Sequence, residues 1–236
     1  MTYNFTTTPY DELTAADKKK VHKLQLKDQL TEIQAAFKGV LEARAELKRA
    51  TAKYQNSRDQ FSADYINQLI EREKSAANAA YQKYYEKAAK ALEKAKEAVL
   101  AGHAIIDLTD PRLSNAVAII QASGSGINYD TAASLVREFT GDQTALRLLQ
   151  SVFSGVRANM DGGLSKMIYD PEAAFANATA EIRDHMLSAD GSINRAARAV
   201  AVIAKGENVD FPEQFDSGEI DRAARRGAGL PVESND

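Results

Sequence analysis

The first hundred residues carry apolar side chains at helical spacing, with charged and polar residues between them. One run of apolar positions, spaced three, four or seven residues apart, consists of Leu26, Leu30, Ile33, Phe37, Val40, Leu47, Tyr54, Phe61 and Tyr65. A second run, out of phase with the first, consists of Tyr81, Tyr85, Ala88, Leu92, Ala95 and Val99. This spacing indicates helices that pack on other helices through a narrow stripe.

Residues that break helices are nearly absent from the same region. None of the prolines lies between residues 10 and 110, and Gly39 is the only glycine between residues 14 and 101. Because proline breaks a helix and an interior glycine weakens one, we expect long helices here. Thr14, with Asp17 three residues later, is the predicted N-cap, and Gly102 is the predicted C-terminal stop.

The polar stretch "QNSRDQ" at residues 55–60 leaves two architectures open. The regular spacing of seven across this stretch favours one continuous helix of about 130 Å, which would require an oligomeric coiled coil. A turn is favoured instead by two local signals. Asn56 can end the first helix, and Ser57 with Gln60 can form the capping box of a second one. We predict the turn.

The turn would join arms of similar length, residues 14–55 and 58–101, as an antiparallel, coiled-coil-like hairpin. In this hairpin Phe37 would lie opposite Ala76 and Ala77, which pairs a large side chain with small ones.

Residues 103–206 contain shorter segments with clear signals for the start and end of helices. Asp-Pro pairs at 110–111 and 170–171 mark helix starts, and Asp130 and Asp142 are predicted caps of two further helices. No segment alternates with period two for long enough to predict a strand. We expect a compact bundle of about five helices, with a core of Leu135, Val136, Phe139, Leu146, Leu149, Val152, Phe153, Ile168, Phe175, Ile182, Met186, Val200 and Ile203.

The predicted fold class is therefore all-α. A short extension, residues 1–13, precedes the long hairpin at 14–102, and the small helical bundle at 103–206 follows it. Residues 207–236 form an acidic tail with few aliphatic residues, which we expect to be mostly disordered.

Charge and composition narrow the functional classes. The chain has a net charge of −3, but residues 14–102 carry more lysine and arginine than acidic residues, and the tail is acidic. The absence of cysteine excludes disulfides, thiolate catalysis and cysteine-ligated zinc. No secretory signal is visible at the amino terminus, and the apolar runs are too short to span a bilayer. We expect a protein of a bacterial cytoplasm, or a virion component assembled there.

No motif predicts a catalytic, cofactor or metal site. His103 with Asp107, and His185 beside Asp184, lack the converging ligands that a metal site needs. "SADGSIN" and "NMDGGLS" fail the carboxylate pattern of a calcium loop, and "SGSG" at 123–126 lacks the Lys-Ser/Thr of a phosphate loop. The basic cluster "DKKKVHK" at 17–23 is interpreted as a solvated helical face.

Two groups of residues are candidates for contact with a partner. Tyr81, Tyr84 and Tyr85 are aromatic anchors if they are exposed, and core residues if they pack against a neighbouring helix; we favour packing. We expect Tyr81 and Tyr85 to share a face, with Tyr84 pointing aside. The second group, in "DRAARR" at 221–226, suggests a docking peptide and consists of Arg222, Arg225 and Arg226.

The stretch "INYDTAASLVREFTGDQTALRLLQSVF" at 127–153 resembles helical structural proteins of phages and prophages of Gram-positive bacteria. The layout is similar to that of scaffolding or head-assembly proteins, which join a helical rod to a terminal docking peptide. The resemblance covers one helix pair and the layout, and the tail is less basic than the capsid-binding end of such scaffolds. It implies a structural or assembly role and assigns no residue a function.

Three functional hypotheses follow. The first is a non-enzymatic helical interaction or assembly protein, which contacts a protein partner or a second copy of itself through the arm or the tail. The alternative is a nucleic-acid-associated protein that uses the basic front half. An enzyme with a site in the 103–206 bundle has the least support. We expect no cofactor and no membrane contact.

Overall fold

The computed structural model describes residues 10–57, 59–105, 110–139, 142–155 and 170–215. Within these ranges every regular element is helical, as the sequence predicted. The α-helices are α1 (Ala15–Gln55), α2 (Ala63–His103), α3 (Pro111–Ser123), α4 (Tyr129–Glu138), α5 (Gln143–Gly155), α6 (Pro171–Met186) and α7 (Ile193–Gly206). Short 3-10 helices cover Tyr10–Glu12 and Gly124–Gly126.

The predicted cap starts helix α1. The Thr14 hydroxyl accepts a hydrogen bond from the Asp17 backbone N–H at 3.1 Å and donates one to the Asp17 carboxylate at 2.7 Å. These bonds occupy backbone groups that a helix start otherwise leaves unpaired. The hydrogen bond from Thr14, followed by one from Lys20, holds the pKa of Asp17 below its ordinary value.

Helices α1 and α2 form a hairpin, which confirms the predicted turn. The second helix begins later than predicted, because Ser62 and not Ser57 caps it: the Ser62 hydroxyl accepts from the Tyr65 N–H at 3.3 Å. The Ser57 hydroxyl instead donates to the carbonyl oxygen of Lys53 at 3.1 Å, in the last turn of α1. Asp64 in the first turn of α2 also suits the positive end of the helix dipole at this start.

The later start changes which residues of the two helices face each other. Gly39 lies against Tyr84, so the predicted opposition of Phe37 to Ala76 and Ala77 is wrong. Helix α2 starts at Ala63, five residues later than the sequence predicted, and this difference moves α2 along α1. Gly102 is the next-to-last residue of α2 and not its stop.

Contacts between Cα atoms group the chain into two compact units. The first unit comprises Met1–Lys27, Ala95–Ala173 and Ile203–Asp210. The second unit comprises Asp28–Lys94, Ala174–Val202 and Phe211–Asp236. The predicted boundaries at residues 102 and 206 followed composition along the chain, whereas each unit contains segments that are distant in sequence.

The first unit has a core built by helices α3, α4 and α5. Its buried residues include the predicted Leu135, Val136, Phe139, Leu146, Leu149 and Phe153, with Val152 partly buried; Ile168 lies outside the described residues. Asp110 caps α3 with Pro111 in the first turn, as predicted. Helix α4 is capped by Asn128, whose side chain accepts from the Thr131 N–H at 2.8 Å, so the prediction of Asp130 is wrong.

The second unit, which contains residues 28–94 of the hairpin and most of helices α6 and α7, buries the middle part of the apolar stripe. Its largest fully buried side chains include Leu30, Ile33, Phe37, Tyr81, Ile182 and Met186. The ring of Phe215 packs edge-on against Phe37, with ring centroids 5.6 Å apart, and the Phe215 N–H donates to the Asn194 side chain at 2.8 Å. Phe211 and Phe215 of the acidic tail thus pack against Phe37, and residues 216–236 lie outside the described ranges.

Arg44 connects α1 to the loop between α6 and α7. Its guanidinium donates to the carbonyl oxygens of His185, Ser188 and Gly191, each at 2.6 Å. The same group lies 5.6 Å from the ring centroid of Tyr81. Burial lowers the pKa of Arg44 and raises the pKa of Tyr81. Arg44 thereby provides the donor for the carbonyl oxygens of His185 and Gly191, and a second donor for that of Ser188, which also accepts from the Gly191 N–H.

Candidate binding sites of the two units

The three candidate tyrosines of α2 have different environments. Tyr81 has an exposed fraction of 1% and packs in the core, so it does not serve as an exposed anchor. Tyr84 and Tyr85 are half-buried. Tyr84, which was expected to point aside, lies over Gly39, where the missing Cβ makes room for its ring. Its position therefore depends on the single glycine in the interior of α1.

Beside Tyr84, a groove of about 380 Å³ runs between α1 and α2 in the second unit. We call it the lysine groove, and it is lined by Glu32, Ala35, Ala36, Tyr84, Lys87, Lys90 and Lys94. The alanines and the tyrosine ring give it an apolar floor, and the lysines stand along one wall.

The three lysines lie on one face of α2, because positions i, i+3 and i+7 of a helix are neighbours. The Lys87 ammonium is 5.7 Å from the ring centroid of Tyr84. Lys90 and Lys94 are exposed, and neither makes an ion pair or side-chain hydrogen bond with any residue that the structure describes. Two ammonium groups without an ion pair to a described residue therefore lie beside the apolar residues of the groove.

The other predicted interaction residues, Arg222, Arg225 and Arg226, lie outside the described residues. The structure shows a different aromatic pair near the hairpin turn. Phe61 and Tyr65 are 49% and 47% exposed, and their ring centroids are 5.4 Å apart.

The first unit contains a polar cluster that joins α1, α2 and α5. Lys19 forms an ion pair with Asp142 at 2.9 Å, and Asp142 also caps α5 by accepting from the Ala145 N–H. The Thr144 hydroxyl donates to the carbonyl oxygen of His103 at 2.7 Å. The basic cluster at 17–23 is thus not simply a solvated face, since Lys19 contacts α5.

Two adjoining cavities, of about 130 and 480 Å³, border this cluster. Both are lined by Lys19, His103, Asp142 and Thr144. The Nε2 atom of His103 lies 2.9 Å from a carboxylate oxygen of Glu207, and these side chains are only 10% and 13% exposed. The other ring nitrogen, Nδ1, makes no hydrogen bond to a described residue.

His185, the other histidine that the sequence analysis considered and rejected as a metal ligand, also has few neighbours of the ligand type. His185 lies 3.0 Å from Glu181, and its Nδ1 accepts from the Ser192 N–H at 3.2 Å. Among the described residues, no group of three or more histidine or acidic side chains could hold a metal ion. Asp107, the proposed neighbour of His103, lies outside them.

Sequence reasoning missed both the lysine groove and the His103–Glu207 pair. The groove has a local signal, since lysines at 87, 90 and 94 share a helical face, but its apolar floor comes from α1. His103 and Glu207 are far apart in sequence, and no local pattern connects them.

Comparisons with models of protein families, with curated proteins and with solved structures gave no match. Across the described ranges, no helix combines the length and the apolar composition that crossing a membrane requires.

Proposed function

We propose that this chain is a non-enzymatic helical interaction or assembly protein, in which the lysine groove binds an acidic helical segment of a partner protein. The observation that carries the proposal is the pair Lys90 and Lys94, exposed and without described partners, beside the apolar floor of Ala35 and Ala36. An amphipathic helix with carboxylates along one edge would neutralise the lysines and cover the floor.

The spacing of the lysines supports a helical partner. Lys87 and Lys94 are two turns apart on α2, so their Cα atoms are separated by about 10 Å along the helix axis. Carboxylates at positions i, i+3 and i+7 of a second helix repeat at the same interval. A helix lying in a groove between two helices is also a common mode of peptide recognition.

The residues that line the lysine groove suit a protein partner better than a nucleic acid. The alanines and the Tyr84 ring can pack against the apolar face of a helix, whereas they contribute nothing to phosphate contacts. The overall charge of −3 also opposes non-specific binding to nucleic acid. Binding of nucleic acid by these lysines remains an alternative that the experiment below tests.

The similarity in layout to phage scaffolding and head-assembly proteins suggests where such a partner would occur. The partner would be another component of an assembling particle or a second copy of this chain, in a bacterial cytoplasm or in the virion assembled there. The acidic residues of the tail give a second copy the required charge.

A pair of charge reversals tests the proposal. The probes are a fluorescent amphipathic peptide of about 16 residues, with glutamate at the three matching positions and leucine and alanine on the adjacent face, and a single-stranded oligonucleotide of about 20 nucleotides. We expect the Lys90→Glu/Lys94→Glu variant to weaken peptide binding by about tenfold or more in an anisotropy titration at low salt.

The matched control is Lys48→Glu/Lys53→Glu, which changes the net charge equally at exposed positions of α1. We expect this control to bind the peptide as the wild type does. Equal losses of peptide affinity in both variants would show a general charge effect and would contradict binding in the lysine groove. Tighter binding of the oligonucleotide than of the peptide would favour the nucleic-acid alternative.

A further inference from the structure

The larger cavity of the first unit has the size and lining of a ligand site. Its volume of about 480 Å³ lies within the range of small-molecule sites in proteins. Leu113, Ala145 and Leu148 provide an apolar part of its wall, and charged side chains provide the rest. Such sites typically combine apolar walls with a few polar groups that fix the orientation of the ligand.

The charges around this cavity leave one cation uncompensated. Lys19 is paired with Asp142 at 2.9 Å, and Arg112 is paired with Asp110 at 2.7 Å. The hydrogen bond from the Arg112 side chain holds the pKa of Asp110 below its ordinary value, so this pair is ionised at neutral pH. Arg147 also lines the cavity, is exposed, and has no ion pair with a described residue.

His103 provides an independent sign of a missing partner. The side chain is nine-tenths buried, it lines the cavity, and its Nδ1 has no hydrogen-bond partner among the described residues. A buried polar atom without a partner is costly, and native proteins normally satisfy it with protein, water or ligand. Because the Nδ1 atom has almost no accessible surface, the His103 ring has to rotate before a ligand in the cavity can supply this hydrogen bond.

We propose that this cavity binds a small organic anion, a carboxylate or a phosphate monoester, through Arg147 and His103. The apolar wall of Leu113 and Leu148 contacts the body of the ligand, and its charge balances that of Arg147. A cation is a poorer fit, because both carboxylates at the cavity, Asp110 and Asp142, already have basic partners. This site lies in the first unit and does not depend on the lysine groove.

Titrations with simple probes test the site on the full chain. The anionic probes are butanoate and inorganic phosphate, and the matched neutral and cationic probes are butan-1-ol and butylammonium. We expect butanoate, phosphate or both to shift the backbone amide signals of Thr144, Ala145 and Arg147 saturably, at millimolar concentrations. Saturation by butanoate alone indicates a carboxylate ligand, and saturation by phosphate alone indicates a phosphate ester.

Two variants determine whether Arg147 carries the binding. Arg147→Gln should raise the dissociation constant of the anion that binds, butanoate or phosphate, by about tenfold, because it removes a charged hydrogen-bond donor. Arg195→Gln, an exposed arginine of α7 in the second unit, is the control and should leave binding unchanged. The proposal is overturned if neither anion shifts these amides saturably, if butan-1-ol acts as well as butanoate, or if Arg147→Gln binds like the wild type.

Discussion

At the scale of single residues, Gly39 and Tyr84 show how a residue that weakens a helix shapes the surface beside it. Glycine inside a helix costs roughly 0.5–1 kcal/mol relative to alanine. At Gly39 a Cβ would overlap the ring of Tyr84, so here the glycine allows the ring to pack against α1. Tyr84 then forms part of the lysine groove.

A double-mutant cycle tests this contact. In the wild type, Gly39→Ala should lower the free energy of unfolding by about 1 kcal/mol, because displacing the Tyr84 ring outweighs the gain in helix propensity. In a Tyr84→Ala background, the same change should raise it by about 1 kcal/mol. The measurement is urea unfolding followed by circular dichroism. An effect of the same sign in both backgrounds would show that the ring does not occupy this space.

Arg44 shows the complementary case, in which one side chain stabilises a loop of distant residues. Arg44→Ala should lower the free energy of unfolding by about 3 kcal/mol, because it leaves the carbonyl oxygens of His185 and Gly191 without their donor and removes one of the two donors to the Ser188 carbonyl. The matched control, Arg49→Ala on the same helix, removes a hydrogen bond only to its own helix and should cost less than about 1 kcal/mol. Similar losses for both, measured by chemical unfolding, would contradict this role of Arg44.

At the scale of elements, the turn between α1 and α2 depends on which serine caps the second helix. Ser57 and Ser62 both precede helix-forming residues, and Ser57 fits a capping box better. Ser57 nevertheless contacts the end of α1, while Ser62 caps α2. The sequence thus identified the turn region correctly, but choosing between two local caps required the packing of the helices.

A pair of proline substitutions distinguishes this turn from a continuous helix. Ala63→Pro should change the free energy of unfolding by less than about 1 kcal/mol, because Ala63 is the first residue of α2 and proline is tolerated there. Ala79→Pro, at an exposed interior position of α2, should cost about 3 kcal/mol or more. Thermal melting compares the two, and equal large losses would indicate a helix that continues through residue 63.

At the scale of the whole molecule, the chain buries the apolar stripe of α1 by itself. Leu30, Ile33 and Phe37 are almost completely buried within one chain, whereas a continuous rod would have needed other copies to cover them. We therefore expect the chain to fold without other copies, so that a second copy or another partner would bind to a structure that is already formed.

The melting temperature should accordingly be independent of protein concentration. Over a hundredfold range, from about 1 to 100 µM, we expect no shift in calorimetric or circular-dichroism melting, because coupling to an oligomer would make it depend on concentration. A clear rise in melting temperature with concentration would mean that association stabilises the fold. That result would favour one continuous helix in an oligomeric coiled coil over the hairpin.

The parts predicted correctly are those fixed by interactions within one or two helical turns. Thr14, Asp110 and Asp142 cap their helices as the sequence indicated, and the apolar stripe from Leu26 to Val40 is buried. Capping and amphipathic spacing involve residues only a few positions apart, so they can be read from the chain directly.

The candidate sites could not be predicted in the same way. The lysine groove needs the alanines of α1 beside the lysines of α2, and the cavity at His103 needs residues from several helices. Their convergence depends on the length of the loop before Ala63 and on how the later helices pack. The sequence by itself determined the helices, their caps and their apolar faces. Only the tertiary structure decided which faces meet, because a shift of one turn between packed helices replaces every facing residue.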